Sequence, residues 1–232
     1  MINPHQTLFD DAQRIVFLTG AGVSTASGIP DFRSASGLYN QNVRAEEYLS
    51  HHFWVQHPDV FYDYCQENLY FPEAQPNVIH VKQAAFTQQN RATIVTQNID
   101  NLYEAADAHH LINFHGNLYD LYCTKCQQAI SYAEYQTTRL HQVDGGEIRP
   151  RIVLYDEPIP SQAAQAAVQA VTQADLVVIV GTSMRVYPFA GLLDYVSQET
   201  PVIVVNQEPL TLSRATLDYI GDATTYFASL QV

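Results

Sequence analysis

Thr19-Gly-Ala-Gly-Val-Ser-Thr-Ala-Ser-Gly-Ile-Pro-Asp-Phe-Arg33 is the segment from which the rest of the sequence is best understood. A buried strand is predicted just before it, at 15–18, because this apolar run is short and ends at a glycine. Gly20 and Gly22 permit a tight turn, and the small residues at 21–27 are typical of the start of a helix. A strand, a glycine turn and a helix N-terminus together favour a phosphate site, because free N–H groups and the helix dipole face the anion.

The same turn is also compatible with a simple connection between a strand and a helix. The dinucleotide fingerprint has a third glycine at the place occupied by Thr25, and Gly-x-Gly alone is common. The continuation favours a functional site, because an acid, an aromatic ring and a guanidinium follow one another at Asp31, Phe32 and Arg33. The residues alone leave both interpretations open.

Composition limits the classes of protein to which the chain can belong. Its 232 residues suit one domain, or one domain with a small inserted module, and a hydrophobic content of 47% provides for a sizeable core. No apolar run approaches the roughly 20 residues of a membrane-spanning helix. The residues at 1–6 show no basic region followed by an apolar stretch, so we expect a cytoplasmic protein.

The chain is strongly acidic. Its 11 basic and 24 acidic residues give a net charge of −13, which argues against nucleic-acid binding, because nucleic-acid-binding proteins present a basic face. A negative surface speeds the encounter with basic peptides, although it is also typical of a protein that simply needs to stay in solution. Three cysteines are too few for a disulfide framework.

Apolar strands alternate with helical stretches along the chain. Uniformly apolar strands between helices are typical of a parallel sheet covered on both faces. We therefore predict an α/β fold with a Rossmann-like, doubly wound parallel sheet built from 1–118 and 149–232. The polar stretch at 119–148 is predicted to be a small inserted module, and a helical part is predicted at about 40–75.

Glycines and polar side chains that could bind a ligand come directly after separate predicted strands, at Gly20, Gln97, His115, Gly181 and Asn206. Ligands of a doubly wound sheet sit at the carboxyl ends of its strands, so these residues are predicted to meet in one crevice. His115 is the candidate general base, because imidazole accepts a proton near neutral pH and the neighbouring Gly116 leaves room for a ligand. Most histidines serve packing or the surface, and that alternative applies to any one of the nine in this chain.

The segment 19–33 closely resembles the signature of the sirtuins, the NAD-dependent protein deacylases. Further blocks match this family in the same order along nearly the whole chain: Thr96-Gln-Asn-Ile-Asp100, His115-Gly116, Cys123-Thr-Lys-Cys126, Gly181-Thr-Ser183 and Val205-Asn206. The resemblance implies NAD-dependent removal of acetyl or apolar acyl groups from protein lysine side chains, giving nicotinamide and O-acyl-ADP-ribose. An ADP-ribosyltransferase, an NAD hydrolase or a non-catalytic NAD sensor would use the same pocket, but the presence of His115 favours deacylation.

The resemblance also implies roles for individual residues. His115 and Asn98 match the catalytic positions, and Phe32 matches a residue that shields the reactive ribose carbon from water. Taken alone, Asn98 and Asp100 are equally typical of a turn that caps the next helix. The implied NAD site consists of Gly20, Ala21, Gly22, Thr25, Asp31, Phe32, Arg33, Gln97, Asn98, Asp100, Gly181, Thr182, Ser183, Asn206 and Ala223.

The implied partner is an acylated lysine in a protein or peptide, bound by Tyr62, Val153 and Tyr155. The segment 146–157 resembles the family's peptide-binding strand, to which substrate adds as a β-strand; here Tyr155-Asp156 replaces the usual Phe-Gly. Sirtuins that prefer acidic acyl groups carry a tyrosine and an arginine three residues apart. Cys65 stands in the arginine's place, so we expect weak activity on succinyl-lysine and malonyl-lysine.

Sirtuins usually hold a structural zinc with two Cys-x-x-Cys pairs. In this chain the second pair is replaced by His-x-x-Asp at the same spacing before Gly145-Gly146. Imidazole and carboxylate are zinc ligands too, so one interpretation is a zinc-ribbon-like module whose metal is bound by Cys123, Cys126, His141 and Asp144. The other interpretation is a lost site with two free cysteines.

Overall fold

The computed structural model describes residues 3–31 and 45–232. Its helices are Gln6–Asp11, Ala45–Tyr48, His51–Gln56, Pro58–Asn68, Val78–Gln88, Leu102–Ala105, Tyr132–Tyr135, Ser161–Gln173 and Ala223–Ser229. Its strands are β1 (Ile15–Thr19), β2 (Ala92–Thr96), β3 (Leu111–Asn113), β4 (Gly116–Cys123), β5 (Ala129–Ile130), β6 (Ile148–Ile152), β7 (Leu176–Val180), β8 (Val202–Asn206) and β9 (Leu217–Ile220). Among the helices of these ranges, none combines the length and the apolar character needed to cross a bilayer.

The larger sheet of the described chain is parallel and has the strand order β3-β2-β1-β7-β8-β9. β1 pairs with β2 on one side and with β7 on the other, so the direction of winding reverses between β1 and β7. This is a doubly wound sheet, and the predicted fold class is confirmed. The reversal leaves a crevice at the carboxyl ends of β1 and β7, which is where such folds bind their ligands.

Apolar cores cover both faces of this sheet. On one face Phe17 packs against Phe86, with ring centroids 6.0 Å apart. On the other face Leu18 belongs to a separate cluster that contains Phe189. Because successive side chains of a strand point to opposite faces, β1 is buried at all five positions, and the first four of them are apolar.

A smaller lobe has an apolar core of its own. Its antiparallel sheet has the order β5-β4-β6 and contains the predicted 119–148 module. The apolar residues at 151–155 predict a strand, but the strand found there, β6, ends at Ile152 and pairs with β4 instead of joining the parallel sheet. Phe61 and Cys65 of helix Pro58–Asn68 pack with Leu121 in this core, so the helices at 45–68 belong to the same lobe.

The predicted helix after the first glycine turn is wrong, since the chain there forms 3₁₀ segments at Ala21–Val23 and Thr25–Ser27. The Thr25 hydroxyl donates to the Gly22 carbonyl over 3.1 Å, and such local bonds compete with α-helical pairing. The sequence pattern at 189–198 also predicts a helix, but the chain forms a 3₁₀ segment there, Phe189–Tyr195. This segment contains Gly191, which weakens an α-helix. An anion at the first turn would therefore accept hydrogen bonds from loop N–H groups and would not lie at the end of a long helix.

Replacing Gly116 with alanine is expected to lower the free energy of unfolding by about 3 kcal/mol. Gly116 has a φ of +82°, and a Cβ there would overlap the Arg151 carbonyl oxygen of β6. Gly28→Ala is the matched control, because Gly28 has a φ of +86° but nothing within 4 Å of its Cβ position. Backbone strain alone predicts a loss of about 1 kcal/mol there. Urea unfolding of both variants measures the difference, and equal losses would contradict the steric account.

Candidate active site

Two loops containing glycine touch at the point where the strand order reverses. The Gly22 N–H donates to the Gly181 carbonyl over 2.9 Å. A Cβ on Gly22 would lie 2.8 Å from the Gly181 Cα, and a Cβ on Gly20 would lie 2.7 Å from the Thr182 Cβ. Glycine is therefore required here because the loops after β1 and β7 approach too closely for any side chain.

Both glycines of the first loop already donate their N–H groups to carbonyls within the protein. The Gly20 N–H donates to the Val180 carbonyl over 3.2 Å, and the Gly22 N–H is taken by Gly181. The Ala21 N–H, in contrast, has no acceptor within the described residues, and Ala21 lines the neighbouring cavity. The N–H groups of Gly20 and Gly22 are thus engaged within the protein, and that of Ala21 remains available to a ligand.

A cavity of about 1220 Å³ opens beside these loops. This volume exceeds the roughly 300–1,000 Å³ typical of small-molecule sites, so it has room for a dinucleotide together with part of a second ligand. Its walls contain most of the predicted site residues: Gly20, Ala21, Gly22, Thr25, Asp31, Gln97, Asn98, His115, Val153, Tyr155, Gly181, Thr182, Ser183, Asn206 and Ala223.

His115 enters this cavity just beyond the end of β3. Its Nδ1 lies 3.2 Å from the Gln97 carbonyl oxygen, and because a carbonyl only accepts, Nδ1 carries the proton and Nε2 keeps the lone pair. The ring packs edge-on against Phe114, which packs edge-on against Phe189. Burial lowers the pKa of His115, although the bond to Gln97 opposes the shift. The imidazole is therefore neutral at pH 7, and its basic Nε2 has no hydrogen-bond partner among residues 3–31 and 45–232.

A buried hydrogen-bond network holds Asn98 in the cavity wall. The Ser24 hydroxyl accepts from Asn98 Nδ2 over 3.1 Å and donates to Asp100 Oδ2 over 2.6 Å. His80 Nε2 lies 3.4 Å from the same hydroxyl. Burial raises the pKa of Asp100 against the effect of its hydrogen bonds, and burial lowers the pKa of His80 to about 4. The network fixes the amide of Asn98 because its partners are themselves buried and held.

Sequence reasoning missed Ser24 and His80 as members of the site. Ser24 lies inside the segment 19–33, so its place directly after the glycine turn was an available signal. His80 offered none, because it lies in the apolar helix Val78–Gln88, where its ring packs against Tyr103.

A comparison with known protein families identifies the chain. Residues 20–188 match the model of the Sir2 family, a span that includes both glycine loops and His115. The chain belongs to the Sir2 family. Relatives at high identity agree with this assignment, and two of them are named NAD-dependent protein deacetylase.

The first of these relatives, from Lactiplantibacillus plantarum, is 56% identical to this chain over 231 residues, which is 100% of this chain and 99% of the relative. The second, from Listeria monocytogenes serotype 4b, is 46% identical over 219 residues, which is 94% of this chain and 96% of the relative. The alignments therefore include the larger sheet and the smaller lobe together.

Solved Sir2 structures share the fold over the same extent. One contains a deacetylated p53 peptide and 3'-O-acetyl ADP-ribose, and it matches with a TM-score of 0.87 at 30% identity over 97% of this chain and 94% of that chain. Another is Sir2Tm bound to a propionylated peptide, with a TM-score of 0.82 at 31% identity over 96% and 93% of the two chains.

Some of the site residues predicted for this protein lie outside the cavity wall. Asp100 lies behind Asn98, and Tyr62 packs edge-on against Tyr135 while its hydroxyl donates to the Tyr135 carbonyl over 2.6 Å. The structure thus places Tyr62 in the packing of the smaller lobe. The remaining two predictions, Phe32 and Arg33, fall outside the described residues.

The segment predicted to bind the peptide forms one wall of the cavity and is anchored at both ends. The Val153 N–H donates to the His115 carbonyl over 2.8 Å. Tyr155 donates its N–H to the Leu49 carbonyl and accepts from the His51 N–H, both over 2.9 Å. This wall is therefore tied directly to His115 on one side and to the helical part of the smaller lobe on the other.

Four possible metal ligands converge in the smaller lobe: Cys123, Cys126, His141 and Asp144, whose ligand atoms all lie within 4.8 Å of one another. The Asp144 Oδ1 lies 3.3 Å from Cys123 Sγ and 3.2 Å from His141 Nδ1, and the latter lies 3.5 Å from Cys126 Sγ. Tetrahedral zinc with these ligand types has edges of roughly 3.2–3.8 Å. A Cβ on Gly146 would lie 2.5 Å from Cys123 Sγ, so the glycine keeps the space open. The residues present fit a zinc ion.

Proposed function

We propose that the chain is an NAD-dependent protein deacetylase that removes acetyl groups, and short apolar acyl groups, from lysine side chains. The observation that carries this proposal is His115, a neutral imidazole with a free Nε2 at the junction of the glycine loops and the peptide segment. Membership of the Sir2 family and the names of the relatives support the same activity. NAD supplies the ribose that accepts the acyl group, and nicotinamide leaves.

In this proposal each group of residues has a distinct task. His115 takes a proton from a ribose hydroxyl through Nε2, since Nδ1 is held by the Gln97 carbonyl. Asn98 binds the same ribose with an amide that Ser24 keeps in place. Both side chains already line the cavity.

The rest of NAD is assigned to the two glycine loops. The Ala21 N–H contacts the pyrophosphate, because it lines the cavity and has no acceptor within the described residues. Asn206 accepts from the Thr182 N–H over 3.2 Å and donates to the Thr182 carbonyl over 2.9 Å. Gln97 Nε2 also donates to the Thr182 hydroxyl over 2.8 Å. These bonds hold the loop after β7 in one shape for the adenosine ribose.

Mass spectrometry of products from a panel of acylated lysine peptides with NAD tests the proposed function. We expect unmodified lysine, nicotinamide and O-acetyl-ADP-ribose in equal amounts from an acetyl-lysine peptide. Formation of free ADP-ribose without loss of the acetyl group would instead identify an NAD hydrolase. Transfer of ADP-ribose to the peptide would identify an ADP-ribosyltransferase.

Succinyl-lysine is expected to be deacylated at least about tenfold more slowly than acetyl-lysine, which is the scale of losing a charge-assisted pair. Tyr62 is engaged by Tyr135, and Cys65 is fully buried among apolar residues. The described cavity wall contains one Lys or Arg side chain, Arg185, and it is exposed to solvent. Initial rates on matched acetyl and succinyl peptides measure the ratio, and faster cleavage of the succinyl form would refute this account.

Activity is expected to fall as the pH drops below the ordinary histidine value of 6.5. The proposed base must be neutral, and because burial lowers the pKa of His115, protonation begins only below that value. A pH profile of kcat/KM should therefore be flat at neutral pH and decline on the acid side. Asp100→Asn is the control, because burial raises the pKa of Asp100 and could create an acid limb of its own. A limb that vanishes in this variant would assign the titration to Asp100.

We also propose that the smaller lobe holds a structural zinc bound by Cys123, Cys126, His141 and Asp144. The edges between their ligand atoms support this set. The metal would join the turn after β4 to the loop before β6. In this assignment residues 119–148 form the metal-binding module, the helices at 45–68 and β6 pack with it in the smaller lobe, and the rest of 1–118 and 149–232 forms the NAD-binding domain.

A further inference from the structure

Asp156 lies in the cavity wall at a turn position where glycine would fit the backbone better. Its φ is +70°, a region that costs a residue other than glycine about 1–2 kcal/mol. The Glu157 N–H donates to the Leu154 carbonyl over 3.0 Å, so Asp156 is the third residue of a tight turn, where glycine is favoured when φ is positive. An observed backbone outlier at a site is a reason to look for a functional role.

The carboxylate of Asp156 has no partner within the described residues, whereas that of Glu157 accepts several hydrogen bonds. Asp156 is exposed and lines the cavity, and its side chain forms no ion pair or hydrogen bond within residues 3–31 and 45–232. Glu157 accepts from Arg149 over 2.7 and 2.6 Å, from His51 over 2.7 Å and from the Leu154 N–H over 2.9 Å. Burial alone would raise the pKa of Glu157, but these bonds outweigh it and lower the value. One acid thus serves the fold, and the adjacent acid is left for a ligand.

The surroundings of Asp156 favour a cationic ligand. The chain carries a net charge of −13, and Glu208 lies in the same cavity wall. Arg185 also lines the cavity but forms no ion pair with Asp156, so the acid is not neutralised from within the described protein. The wall itself is fixed by the backbone bonds of Tyr155. The carboxylate is therefore presented at a defined place beside the segment that we assign to the peptide.

We propose that Asp156 is a specificity-determining residue that binds a lysine or arginine side chain flanking the acylated lysine of the substrate. This inference rests on the proposed deacetylase function, because it places the peptide along the segment from Val153 to Tyr155. An extended peptide projects alternate side chains toward opposite sides, so one flanking residue faces the turn that carries Asp156. The ion pair it forms is exposed, and its contribution is modest and weakened by salt.

The test uses the full chain and three acetyl-lysine peptides that differ only in flanking residues, which are lysine, glutamine or glutamate. For the unsubstituted protein we expect kcat/KM to be about threefold to fivefold higher for the lysine-flanked peptide than for the glutamine-flanked peptide at low ionic strength, with a smaller ratio at high salt. Asp156→Asn should bring this ratio close to one. Asparagine tolerates the same left-handed backbone, so the variant changes the charge and not the turn.

Asp11→Asn is the matched control. Asp11 is exposed and precedes β1, so it lies at the end of the sheet opposite the cavity. This variant has the same change in net charge and should keep the preference for the lysine-flanked peptide. A preference that survives in Asp156→Asn, or that is absent from the unsubstituted protein, would overturn the inference, and the second result would mean that Asp156 is only solvated or screened by Arg185.

Binding measurements separate this inference from the proposed function. Fluorescence anisotropy of the same labelled peptides reports the dissociation constants without any turnover. If no peptide is deacetylated but the lysine-flanked one binds more tightly in an Asp156-dependent manner, the proposed function fails and the inference stands. If all three peptides are deacetylated equally well and bind equally tightly, the inference fails and the function stands.

Discussion

Replacing His115 with alanine is expected to lower kcat/KM for NAD-dependent deacetylation by about 100-fold to 10,000-fold, the contribution of a well-placed general base. The loss follows from the tautomer: Nδ1 is bonded to the Gln97 carbonyl, so Nε2 is the basic atom in the cavity. Alanine removes that atom and leaves the two glycine loops untouched. Affinity for NAD, measured by calorimetry, should therefore change much less than kcat.

His110→Ala is the matched control for this prediction. His110 lies five residues earlier and is exposed, with its Nε2 2.8 Å from Asn90 Oδ1. Its replacement should leave kcat/KM within about twofold of the unsubstituted value, since surface substitutions are usually near neutral. Thermal unfolding of both variants checks that the fold is intact. A His115→Ala protein that is folded and still deacetylates at the original rate would remove the observation on which the proposed function depends.

The buried strands could be predicted from the sequence because the parallel sheet is covered on both faces. The sequence pattern predicts strands at 92–96, 175–180 and 201–205, and these lie within a residue of β2, β7 and β8, since two apolar layers demand a largely apolar strand. β9 was missed for the opposite reason. It lies at the edge of the sheet, its residues are largely exposed, and its polar Asp218 breaks the apolar run.

Whether a site residue could be predicted from the sequence depends on the structural element that carries it. Residues at strand ends, such as Gln97 and Asn206, were predictable because the ends of parallel strands lie on one edge. His80 was not, because its bond to Ser24 joins a helix to a loop 56 residues away and leaves no pattern in the sequence. The orientation of Tyr62 was equally hidden, since it depends on the Tyr135 carbonyl of another segment.

Cys123→Ser is expected to abolish zinc binding and to lower the free energy of unfolding by on the order of 5 kcal/mol, because structural zinc contributes its binding energy directly to folding. For a chain of this length that corresponds to roughly 10–20 °C in Tm. We expect the smaller lobe to depend on the proposed metal, because β5 has only two residues and backbone pairing there is sparse. Elemental analysis of protein purified without added zinc should find about one zinc per chain in the unsubstituted protein.

Cys65→Ser separates the loss of a ligand from the loss of a thiol. Cys65 is fully buried in the core of the same lobe, and burial raises its pKa, so it is an inert packing group. Its replacement should lower stability but keep the full zinc content. The competing arrangement is a hydrogen-bond cluster in which the Cys123 thiol donates to Asp144 over 3.3 Å. That arrangement predicts no zinc in any variant and a Cys123→Ser loss no larger than that of Cys65→Ser, because a serine hydroxyl can donate to the same carboxylate.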